Sequence, residues 1–70
     1  MTVELKIKEI REKMGVSLNE LAESTGIERH RLAKIEADVD KILFIEMLVI
    51  AETLGKKITD LYDTGTLVLQ

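Results

Sequence analysis

The chain has 70 residues, 46% of them hydrophobic, and a formal net charge of −3. That length fits one small domain with a single core, and such a chain buries only about 60% of the surface its unfolded form exposes. A binding module is therefore expected rather than an enzyme. With no cysteine and one histidine, disulfides, thiolate metal sites and a histidine zinc centre are excluded, and neither a metal nor a cofactor is expected.

Phe44 and Tyr62 are the only aromatic residues, so the core must be aliphatic. Charge is unevenly spread. Residues 28–36 carry Arg29, Arg31 and Lys34 against Glu28 and Glu36, net +1, whereas residues 1–27 are net −1 and residues 37–63 net −3. The first residues lack the apolar run of an export signal, and the most apolar segment, 42–51, is interrupted by Glu46 and too short to span a bilayer. A cytoplasmic protein without a membrane partner is expected.

In chain order, Ile7, Ile10 and Met14 recur at helical spacing and predict a first helix over about 3–14. Ser17 opens Ser-Leu-Asn-Glu, a capping box in which Ser17 and Glu20 satisfy each other's free backbone amides. It starts a second helix ending near Thr25, with Leu18, Leu21 and Ala22 inward. A third helix follows over about 28–37, with Leu32 and Ile35 inward. Asp38 and Asp40 are candidate caps for a fourth, over about 41–54, and a short helical turn is expected over 59–63. Gly15, Gly26, Gly55 and Gly65 each follow a helix-like run and suit a left-handed stop. The predicted class is all-α, with five short helices in one domain over 1–63 and an extended apolar tail over 64–70. Asp38-Val39-Asp40 has the opening of a calcium loop, but Ile42 follows and no glycine does, so metal binding is rejected.

Two short helices about a glycine turn allow the second to enter the DNA major groove while the first crosses the backbone. On spacing alone, Arg29 is equally a solvated charge or a fork for guanine O6 and N7. His30 suits a donor to base or phosphate and equally an ordinary surface histidine. Arg31 and Lys34 suit phosphate contacts. Ala33 offers a surface to a thymine methyl, although helix packing is the commoner reason for such a residue. Capping is the preferred role for Glu28, whose carboxylate otherwise repels phosphate unless a cytosine amino group donates to it. Asn19 lies at the entrance of the second helix, where free amides meet phosphates.

On the fourth helix, Phe44, Met47, Leu48, Ala51 and Leu54 suffice to face the core. Ile42, Ile45 and Val49 then form a second apolar face, which predicts a homodimer. Leu67 and Leu69 of the tail are placed in the same contact.

The residues Gly15 to Glu23, then Gly26-Ile27, Leu32 and Ile35-Glu36 resemble the lambda-repressor and Cro-like helix-turn-helix family, the xenobiotic-response-element type of regulator. Leu48, Ile50-Ala51, Leu54-Gly55, Ile58 and Leu61-Tyr62 continue the match, which covers about 5–62. The resemblance implies a five-helix domain that binds operator DNA as a dimer, most simply as a repressor. Its DNA-facing positions fall on Glu28, Arg29, His30, Ala33 and Lys34, and its structural ion pair on Arg11 and Glu36. The sequence departs from the family at Leu18, at Ile42 and at Asp38 and Asp40, where carboxylates replace basic residues and weaken attraction to phosphate. The rival expectation is therefore a protein-interaction module of the same fold, such as an antitoxin-like partner-binding protein.

Overall fold

The structure is a computed structural model that describes residues 4–37 and 41–63. Four α-helices make up most of it: α1 (Ile7–Lys13), α2 (Leu18–Thr25), α3 (Arg29–Glu36) and α4 (Phe44–Leu54). A 3₁₀ turn (Ile58–Asp60) follows, and two short strands, β1 (Glu4–Leu5) and β2 (Tyr62–Asp63), pair antiparallel with Leu5 opposite Tyr62. The capping box at the head of α2 forms on both sides. Glu20 N–H donates to the Ser17 hydroxyl and Ser17 N–H to the Glu20 carboxylate, each at 3.0 Å. The bond from the Ser17 amide foremost, and then the Ser17 side chain, hold the Glu20 carboxyl below the ordinary glutamate range.

The helix count and three boundaries differ from the sequence expectations, each for a reason. Helix α1 begins at Ile7 because residues 4–5 are drawn into the ladder with β2, and the Lys6 amide donates to the Leu61 carbonyl at 2.7 Å. The helical turn expected at 59–63 is instead a single 3₁₀ turn running into β2, so the fifth helix is not an α-helix. Helix α4 begins at Phe44, three residues late. The Lys41 carbonyl is taken by Arg31 at 2.7 Å, and Ile42 is packed against the core. Leu43 is then extended, and its amide is satisfied by the Glu46 carboxylate at 2.9 Å. The caps expected at Asp38 and Asp40, Gly65 and the tail over 64–70 with Leu67 and Leu69 lie outside the described residues.

The core joins all the helices: Ile7 of α1, Leu21 of α2, Leu32 and Ile35 of α3, Ile50, Ala51 and Leu54 of α4, and Leu61 beyond the 3₁₀ turn. Each fully buried Leu or Ile contributes about 1.5–3 kcal/mol relative to leaving it in water. Helix α4 is phased differently from the expectation. Ile50 is buried, whereas Phe44 is 70% and Leu48 39% exposed. Taking Ile50, Leu54, Met47 and Ala51 as the inner arc turns Phe44 and Leu48 out onto the flank that also carries Ile45.

Candidate nucleic-acid interface

Helix α2 stops at Gly26, whose φ of +76° an L side chain rarely adopts. The Thr25 hydroxyl stitches the turn, donating to the Leu21 carbonyl at 2.7 Å and accepting from the Ile27 amide at 3.2 Å. Half-buried Ile27 packs against the core and anchors the turn from below. Glu28 occupies the N-cap position of α3, but its side chain makes no capping bond. This corrects the expected capping role: the carboxylate is exposed at the mouth of the helix.

With Leu32 and Ile35 fully buried, α3 has only one way to face. Arg29, His30, Ala33 and Lys34, at positions i, i+1, i+4 and i+5, are all exposed on the side away from the core. Among the described residues neither Arg29 nor Lys34 forms an ion pair. Asn19 is exposed in the first turn of α2.

Arg31 departs from the expected phosphate-facing role. Its Nε and Nη2 donate to the two oxygens of Glu46 on α4, each at 2.8 Å, and Nη2 also reaches the Lys41 carbonyl. The residue therefore clamps α3 to the start of α4. The bonds from Arg31, with that from the Leu43 amide, hold the Glu46 carboxyl below its usual range against the opposing effect of burial. A carboxylate depressed in the folded state contributes stability that is present above its unfolded value, about 4.3, and lost as pH falls through the lower folded value. In acid titrations of the unfolding free energy, Glu46→Gln is expected to show a shallower loss than the parent below about pH 4.3. Parallel curves would show that this carboxylate is not linked to folding.

A second clamp holds the other end of α3. Arg11 Nε and Nη2 donate to Glu36 at 2.7 and 3.1 Å, and Nη1 donates to the Val16 carbonyl at 2.8 Å. The side chains are only 10% and 6% exposed. These bonds to Glu36, set against desolvation, raise the Arg11 guanidinium pKa. The resemblance pairs these two residues, and the structure brings them together. Sequence reasoning missed the Arg31–Glu46 clamp, whose one signal was that Glu46 stands three residues after Leu43.

The residues assigned to a dimer contact are divided. Ile42 is half-buried against the core and so leaves the outer stripe, a correction. Val49 is half-buried and Ile45 is 59% exposed. Leu43, Phe44 and Leu48 are exposed beside Ile45, which corrects the inward placement expected for Phe44 and Leu48.

Two consecutive helices about a left-handed glycine, the second offering an unpaired basic face, define a helix-turn-helix protein. A family model described as a helix-turn-helix domain matches residues 6–65, and the chain belongs to that family, consistent with the lambda-repressor and Cro-like pattern. Among curated proteins, none matches this chain. The family points to DNA as partner and to a role in transcription regulation. Among the described residues no helix is long and apolar enough to cross a membrane.

Proposed function

We propose that the protein is a sequence-specific, DNA-binding transcriptional regulator of the cytoplasm, a repressor that binds operator DNA as a homodimer with α3 in the major groove. The observation that carries this reading is the outer face of α3, where two cations without an ion pair among the described residues stand at the ends of one exposed strip while α1 and α4 are clamped to the helix. Arg29 reads guanine through its planar fork, and Ala33 meets a thymine methyl. His30 and Lys34 donate to base or phosphate, and Asn19 meets the backbone at the entrance of α2. Glu28, freed from capping, accepts from a cytosine amino group. Occlusion of a promoter is the simplest mode for a domain of this size, and it is binding rather than catalysis.

Selection of bound duplexes from a random pool with the purified protein tests the reading, and a palindromic motif is the expected product. On that motif Arg29→Ala is expected to cost about 1–3 kcal/mol and to relax one position per half-site. Lys34→Ala should weaken all sequences alike and lower the salt slope by about one. A pool without enrichment, or binding unchanged by both substitutions, refutes the reading. The rival, a partner-binding module, draws on the net charge of −3 and on the exposed Phe44 face. It would show a protein complex and an unenriched pool.

A further inference from the structure

A groove of about 410 Å³ lies on the flank of α1, between that helix and the segment joining α4 to β2. Its volume falls within the range of small-molecule sites, about 300–1,000 Å³. Two of its walls are apolar: Ile10, packed against the core, and Met14, 47% exposed. Three lysines line it, Lys6, Lys13 and Lys56, against one carboxylate, Asp60. In a chain of net charge −3 that is a local reversal of sign.

Among the described residues Lys6 and Lys56 form no ion pair. Lys13 reaches Glu9 at 3.1 Å, but both side chains are more than half exposed, and such a pair is worth about 0–1 kcal/mol, so it yields readily to a better partner. Asp60 is occupied in accepting the Lys57 amide at 3.0 Å, which closes the 3₁₀ turn. Ammonium groups beside exposed Met14 and half-buried Ile10 match a ligand with a charged end and a greasy body. The exposed face of α4 lacks such a set of cations, with Glu52 exposed one turn beyond Leu48.

We propose that this groove is a binding site for a small amphipathic anion, an apolar chain or ring carrying a carboxylate. The carboxylate sits among Lys6, Lys13 and Lys56, and the apolar body lies along Ile10 and Met14. The site uses residues of α1 other than Arg11, the one clamped to α3, and it stands whether or not α3 binds DNA.

Titration of the full chain with decanoate, followed by NMR, tests the site. Saturable shifts are expected at the Ile10 and Met14 methyls, weakened by salt, with decanol binding at least about tenfold less tightly. Lys6→Glu combined with Lys56→Glu should weaken decanoate by about tenfold or more, a loss of about 1.4 kcal/mol. If that double variant melts early, Lys56→Gln at an exposed position is the second variant, and a weaker but measurable loss is expected. Shifts confined to Phe44 and Leu48, equal binding of decanol, unchanged affinity in the lysine variants, or no saturable shift at all would each overturn the proposal.

Discussion

Replacing Arg11 by alanine is expected to cost about 3–5 kcal/mol of unfolding free energy. The substitution strips Glu36, whose side chain is 6% exposed in the intact pair, of two charge-assisted bonds at the foot of α3, and it also removes the Arg11 donor from the Val16 carbonyl. An unpaired buried charge is far more costly than a missing pair, because the residual carboxylate has neither water nor a counter-ion. Set against a total margin of about 4–10 kcal/mol for a domain this size, the loss is a large fraction of the whole, and the variant should melt well below the parent. Arg11→Met together with Glu36→Leu should recover most of the loss, since both charges are then removed. Urea denaturation of the three proteins checks both statements. A shift below about 1 kcal/mol for Arg11→Ala would mean that Glu36 is as well solvated as a surface group.

The second large effect is expected at the outer face of α4. If two copies pair through Phe44, Ile45 and Leu48, each side chain removed from water contributes about 1.5–3 kcal/mol, less the cost of association. Ile45→Glu or Phe44→Glu places a carboxylate at the centre of that contact, where its desolvation penalty alone is several kcal/mol. Sedimentation equilibrium should show dimer for the parent and monomer for both variants, and the melting temperature should rise with protein concentration for the parent but not for the variants, both positions being exposed in the single chain. Operator binding should weaken in step, since an isologous dimer presents two reading helices about one DNA turn, roughly 34 Å, apart. A monomeric parent protein refutes the contact at once.

Particular residues show why some of this was legible and some was not. Ser17 and Glu20 are three residues apart and bond only each other's amides, so their capping box needs no distant partner. Leu32 and Ile35 leave α3 one inner face, and the exposed strip from Arg29 to Lys34 follows from helical geometry alone. Helix α4 is different. It is apolar on two sides, so several rotations about its axis satisfy the periodicity, and placing Phe44 and Leu48 inward was as consistent locally as placing Ile50 there. Which arc is buried depends on the shape of the surface made by α2 and the 3₁₀ turn. Arg31 illustrates the same limit, since nothing near it in sequence announces that Glu46, fifteen residues on, will hold two of its guanidinium nitrogens.

By itself, then, the amino-acid sequence determined the helical class, the stops at glycine, the head of α2 and the basic side of α3, because each depends on groups within one or two turns of each other. Tertiary structure alone decided the rotation of α4, the pairing of residues 4–5 with 62–63, and the removal of Arg31 from the basic face. Those outcomes join groups distant along the chain, where competing local arrangements are nearly equal in energy and only the packed whole separates them.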